Sequence, residues 1–141
     1  MNGTVVIDAS VILKWVLPPE QEPHHAQGQA LGEAMLNRRL SVAVPPLWYY
    51  EVGNILIRRY PEHAAQDLSD LRKQLALFEQ AMTPAWQSRI LDLAARYRVT
   101  FYDAAYHALA IVREGVFVTA DEKYLQAVTG EPHVMHLKDW A

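Results

Sequence analysis

Four short apolar runs, rich in β-branched residues and separated by longer helical stretches, constrain this chain most. They lie at residues 4–7, 42–44, 116–119 and 134–137. Continuous apolar runs, as opposed to alternating ones, mark strands covered on both faces. Helical spacing fills the intervals. The stretch 9–17 reads as a helix stopped by Pro18-Pro19, followed by helices at about 24–39 and 47–60. Leu68, Leu71, Leu75 and Phe78 continue the helical period after Pro61, so residues 47–81 form a long helical pair. Thr83-Pro84 is an N-cap and first-turn proline, 103–114 is a helix ended by Gly115, and 121–128 is a short helix closed by Gly130. Strands alternating with helices predict an α/β fold: a short central parallel sheet flanked by helices in three layers.

The chain has 141 residues, which predicts a single domain over 1–141. It contains no cysteine, which excludes disulfides, thiolate metal sites and a cysteine nucleophile. No apolar run approaches the roughly 18 residues of a membrane-spanning helix. The opening residues carry no basic stretch followed by a long apolar one, so no signal peptide is expected and the expected compartment is the cytoplasm. The formal net charge is −3, whereas nucleic-acid binders usually carry a basic excess. A few clustered acids at one site would mask a locally basic surface in that sum, so net charge decides little.

Asp8, Glu51, Asp103 and Asp121 are the candidate functional residues. Asp8, Asp103 and Asp121 each stand where a helix is expected to begin, and aspartate is a favoured N-cap. Capping alone therefore accounts for any one of the three. Topology changes the balance, because ligands in open parallel sheets bind beyond the carboxyl ends of the strands. Asp8 and Asp121 follow strands, Asp103 opens a helix, and Glu51 lies one turn into the helix after the second strand. Glu51 is not a cap, and an acid on a mostly apolar helix needs a partner. Four carboxylates at one edge repel each other unless cations lie between them, which points to divalent metal and phosphodiester chemistry.

Asp8-Ala9-Ser10 after an apolar strand, Glu51 within Pro46-Leu47-Trp48-Tyr49-Tyr50-Glu51-Val52-Gly53-Asn54, Tyr102-Asp103-Ala104-Ala105-Tyr106, and Thr119-Ala120-Asp121 together resemble the PIN-domain nucleases. The nearest branch is the VapC-type toxin ribonucleases of toxin–antitoxin pairs. The resemblance spans nearly the whole chain in order and spacing, and all four acidic positions are filled. It implies a PIN-like fold and a magnesium- or manganese-dependent endoribonuclease. Asp8, Asp103 and Asp121 would be the main metal ligands. Glu51 would bind metal or its water, or accept a proton. Ser10 and Thr119 would support the site through their hydroxyls. It also implies an RNA substrate, a VapB-type antitoxin and a second copy of the chain as partners.

Lys14, Arg58, Arg59 and Lys123 are candidate phosphate contacts beside the ordinary reading of solvated surface charge. Tyr49, Tyr50 and Tyr106 are candidates to stack on bases, and Trp15 and Trp48 to form either core or interface. His107 is expected to pack within the structure, and His24 and His25 are given no metal role. A phosphotransfer receiver module would need an acidic neighbour beside Asp8, and an aspartyl-nucleophile phosphatase would want a second Asp where Ser10 stands. No Gly-x-x-x-x-Gly-Lys phosphate loop is present. A structure-specific DNase and a catalytically silent scaffold stand as alternatives.

Overall fold

The computed structural model describes residues 3–140, and the expectation about a leader bears on Met1 and Asn2, which lie outside them. The chain runs through β1 (Thr4–Ile7), α1 (Ala9–Ile12), α2 (His25–Leu36), β2 (Ser41–Ala43), α3 (Leu47–Arg59) and α4 (Pro61–Leu75). It continues with α5 (Pro84–Tyr97), α6 (Phe101–Val112), β3 (Val116–Thr119), α7 (Glu122–Ala127) and β4 (Val134–His136). The four strands form one sheet in the order β2-β1-β3-β4, and every pairing is parallel. The predicted three-layer α/β architecture is therefore the observed one.

Strand alternation assigns the two faces. Val5 and Ile7 of β1 enter a core with Val42, Val118, Leu31, Trp48, Val52, Leu56 and Leu71, which brings in α1 to α4. Val6 faces the opposite way, into a core with Phe117, Trp86, Ile90, Leu109 and Tyr124, which brings in α5 to α7. β1 is thus a central strand, buried along its whole length. Both tryptophans of interest are held from within. Trp48 is fully buried with its indole N–H on Glu79 at 2.8 Å, and Trp15 donates to the Gly28 carbonyl at 2.9 Å. Trp48 is a core residue, so the interface alternative for it falls away.

Several boundaries differ from the sequence expectation for local reasons. The first helix makes one α-helical turn and then tightens into a 3₁₀ turn over Leu13–Trp15. The second strand ends at Ala43 because Val44 turns its backbone to the segment after α4. Val44 N–H donates to the Phe78 carbonyl, and Gln80 N–H donates to Val44, both at 3.0 Å. Pro61 is the first residue of α4, a position where its missing N–H costs nothing. Helix α6 begins two residues earlier than expected, at Phe101. Thr100 caps it, accepting the Asp103 N–H at 3.0 Å. Asp103 is consequently the third residue of the helix and not its cap.

Gly115 is needed for a reason other than helix termination. The left-handed residue after α6 is Glu114 (φ 53°), while Gly115 N–H closes back on the Ala110 carbonyl at 2.8 Å. A Cβ on Gly115 would lie 1.8 Å from the Thr4 carbonyl oxygen, which is backbone and has little room to move. Gly130 differs: its φ of 91° is strained for other residues, but nothing lies within 4 Å of an added Cβ. Gly115→Ala is therefore expected to cost roughly 2–4 kcal/mol by forcing β1 away. Gly130→Ala should cost only about 1–2 kcal/mol of backbone strain. Urea unfolding of the two variants measures the difference, and equal effects would refute it.

Candidate functional site

The end of β1 and the end of β3 are neighbours, with Ile7 paired to Val118. The next residues, Asp8 and Thr119, therefore project together beyond the carboxyl edge of the sheet. Asp8 caps α1, with Val11 N–H 3.4 Å from Oδ1. The same oxygen accepts the Ser10 hydroxyl at 2.6 Å, and Oδ2 accepts the Thr119 hydroxyl at 2.7 Å. Both hydroxyl protons are thereby committed to Asp8. The oxygens of these hydroxyls are used as well: Ser10 Oγ accepts Ala120 N–H at 2.9 Å, and Thr119 Oγ1 accepts Asp121 N–H at 3.0 Å. Ser10 and Thr119 thus hold Asp8 and the turn after β3 in one network. Asp121 in turn caps α7, accepting Tyr124 N–H at 3.1 Å.

Glu51 and Asp103 reach the same place from opposite faces of the sheet. Glu51 lies on α3, four residues after the helix begins, and its Oε1 accepts a short hydrogen bond from the Tyr106 hydroxyl. Tyr106 is buried and stacked on Phe117 of β3, with ring centroids 5.7 Å apart and planes 16° from parallel. That packing aims the phenol at Glu51. Asp103 lies three residues before Tyr106 on α6, hence on the same side of that helix. Asp8, Glu51, Asp103 and Asp121 all line one cavity of about 300 Å³. The topology argument from sequence thus brings together the four acids it selected, with Ser10 beside them and Thr119 directly beneath.

The electrostatics follow from burial and like charge. Asp8 is pushed up from 3.8 to about 6, chiefly by burial, against the lowering effect of its Ser10, Thr119 and Val11 donors. Burial raises Glu51 too, with the Tyr106 hydrogen bond opposing and the charges of Asp8, Asp103 and Asp121 adding. Asp103 is raised by burial and then by Asp121. Both effects disfavour the ionised carboxylate, and a bound cation would reverse both.

Two observations bear on whether a divalent metal fits. The donors are hard carboxylate oxygens, the type that magnesium and manganese prefer. Among the described residues, however, no three acidic or histidine side chains converge closely enough to enclose an ion directly. Magnesium commonly keeps several waters and uses only one or two carboxylates. The residues therefore fit a hydrated ion held in an open cavity and do not form a closed cage.

The surrounding candidates divide. Lys14 is buried and paired with Glu22 at 3.3 Å, so it is not a surface phosphate contact. Arg59 is engaged with Gln21 at 3.2 Å and Glu22 at 3.8 Å. Arg58 is exposed in the last turn of α3. Lys123 borders a smaller cavity together with Asp103 and Asp121, and its charge lowers the Asp103 carboxyl. His107 is fully buried between the Tyr124 hydroxyl and the Pro132 carbonyl, each at 2.8 Å, and serves packing as expected. Tyr106 holds Glu51 and is too buried to stack on a base. Nothing in the sequence marks Tyr106 for the bond to Glu51, 55 positions away. Tyr124 and Phe117, which complete the cavity wall, are equally unmarked in the sequence.

Comparison with known proteins agrees with this geometry. Residues 5–130 match the family model described as PIN domain. The chain belongs to the PIN-domain family. No curated protein matches the sequence significantly. Among solved structures, this PIN domain is similar to PAE2754 from Pyrobaculum aerophilum, with 24% identity, a TM-score of 0.66, and coverage of 98% of this chain and 93% of that one. It is similar also to a chain of a toxin–antitoxin complex from Klebsiella pneumoniae, with 14% identity, a TM-score of 0.67, and coverage of 94% and 97%. At these identities the likeness establishes the fold.

Asp8 gives a pH signature with a definite sign. A folded-state value raised above the unfolded one stabilises the fold below about 3.8, and that contribution is lost as pH rises through about 6. Without metal, Asp8→Asn should therefore gain stability relative to the parent chain as pH rises from about 4 to about 6. The change should be about 3 kcal/mol at most, at roughly 1.4 kcal/mol per pH unit. Unfolding free energies of both proteins in chelator, measured across that range, check it. A pH-independent difference would contradict the raised value.

Proposed function

We propose that this PIN-domain chain is a metal-dependent endoribonuclease and the toxin of a toxin–antitoxin pair. The observation that carries the reading is the convergence of Asp8, Glu51, Asp103 and Asp121 on one open cavity at the carboxyl edge of the sheet. Family membership supports nuclease chemistry, and the fold likeness to a chain of a toxin–antitoxin complex supports the toxin assignment.

Asp8, Asp103 and Asp121 would hold magnesium or manganese. The ion would supply charge neutralisation at the phosphate and a more acidic attacking water. Ser10 and Thr119 keep the Asp8 carboxylate oriented, each spending its hydroxyl proton on it. Glu51 is the proton acceptor in this reading. Its raised value brings it nearer to working pH than an ordinary glutamate, and Tyr106 fixes the oxygen that is not receiving the proton. The partners are an RNA substrate, a VapB-type antitoxin whose arginine would pair bidentately with the acidic cavity, and a second copy of the chain. The compartment is the cytoplasm. Among the described residues no helix is long and apolar enough to cross a membrane.

Incubating the purified chain with structured RNAs should give cleavage that needs magnesium or manganese and stops with chelator. Asp8→Asn and Asp103→Asn should each lower it by roughly a hundredfold or more, since even outer-shell losses at metal sites cost 10–100-fold. Equal cutting by both variants would sink the assignment, and cutting of DNA with RNA spared would make the chain a DNase. The ion should also raise the melting temperature more at pH 7.5 than at pH 5, because protonated carboxyls do not bind it. A thermal shift independent of pH would count against these ligands.

A further inference from the structure

Beside the acidic cavity lies a second one of about 520 Å³, lined by Leu47, Tyr50, Glu51, Asn54 and Tyr102. Glu51 lines both, so the two cavities adjoin at that side chain. The second cavity is unlike the first in chemistry. Tyr50 and Tyr102 are 72% and 61% exposed, an unusual state for two aromatics bordering one hollow. Trp48 and Tyr106 on the same two helices fill the cores, whereas Tyr50 meets only the edge of Tyr49, at 5.7 Å, and neither Tyr50 nor Tyr102 belongs to a core. Leu47 and Tyr102 also border the next cleft, where Met82 and Phe101 extend the apolar surface away from the acids.

We propose that Tyr50 and Tyr102 form a stacking ledge for the unpaired base adjoining the phosphate that is cut. This rests on the nuclease reading above and specifies which residues grip the strand. The charge distribution favours such a grip. A strand approaching four carboxylates gains nothing from them except through the metal, Lys14 and Arg59 are already paired, and Lys123 stands against Asp103, which leaves Arg58 as the exposed cation of α3 beyond them. Neutral aromatic faces attract every base without adding charge, and each stacked base contributes substantially to binding. A base can reach the ledge only if it is unstacked from its neighbours, so the ledge selects single-stranded or looped substrate over duplex. The 520 Å³ hollow is within the size range of small-ligand clefts. Tyr50 and Tyr102 are positioning residues in this scheme and not catalytic ones.

The test uses the full chain and a ten-nucleotide single-stranded RNA carrying 2-aminopurine, alone and annealed to its complement. The parent chain should bind the single strand more tightly than the duplex and quench the 2-aminopurine signal. Tyr50→Ala and Tyr102→Ala should each weaken single-strand binding roughly five- to a hundredfold, the range that base stacking spans. The loss in cleavage should fall mainly on KM, with kcat little changed. Tyr50→Phe and Tyr102→Phe keep the ring and should restore binding. Leu36→Ser, at an exposed apolar site where α2 ends, should change nothing. Alanine variants that bind and cut like the parent would overturn the ledge while leaving the nuclease assignment intact. So would equal affinity for strand and duplex. A shift from dimer to monomer in Tyr102→Ala, seen by ultracentrifugation, would make the ledge a contact between copies and overturn it as well. Absence of any metal-dependent cleavage by the parent chain, by contrast, would remove the underlying function.

Discussion

The parallel pairing of β1 with β3 carries the rest of the molecule. It aligns Ile7 with Val118, so that the next residue of each strand, Asp8 and Thr119, emerges at one point. From there the Ser10 and Thr119 hydroxyls fix both oxygens of the carboxylate, and the turn after β3 hangs on those same hydroxyl oxygens. Gly115 is part of this arrangement, since only a residue without Cβ lets the chain entering β3 approach Thr4. A one-residue register shift between the two strands would dismantle the site and both cores together, since alternate residues face opposite cores.

Opposing energetics meet at the acids. Burial makes the ionised form of Asp8 costly, while three donors favour it. The donors do not win, which leaves a carboxyl near 6, held in position but not fully charged. An ordinary structural aspartate capping a helix at a surface would not be raised in this way. The raised Asp103 and Glu51 follow the same pattern; the Lys123 charge offsets part of the rise at Asp103, and among the described residues no basic side chain lines the acidic cavity itself. Carboxyls raised in this way would return toward the ionised form beside a cation.

Much of this was readable in the sequence, and for definable reasons. Strands buried on both faces leave continuous apolar runs, so all four were identifiable, and the carboxyl-edge rule brought Asp8, Glu51, Asp103 and Asp121 together. The sequence is silent where the deciding partner is distant or where two residues compete locally for one position. Asp103 looked like a cap because aspartate caps well, yet Thr100 three residues earlier takes that position. Lys14 looked free because its partner Glu22 comes from a loop beyond the two prolines. Val44 left the second strand for a bridge to Glu79, a pairing that no periodicity encodes. The bond between Tyr106 and Glu51 spans 55 positions and is equally hidden.

That bond has an architectural consequence. Helix α3 is seated in the core on one face of the sheet and α6 in the core on the other. The Tyr106–Glu51 contact clasps the two across the end of the sheet, and the acidic cavity is the space beneath the clasp. The width of its mouth is therefore a shared variable, set by how each core packs and not by the loops around it. A core substitution on either side, remote from every carboxylate, would shift one jaw against the other and retune the distance between acids on opposite sides.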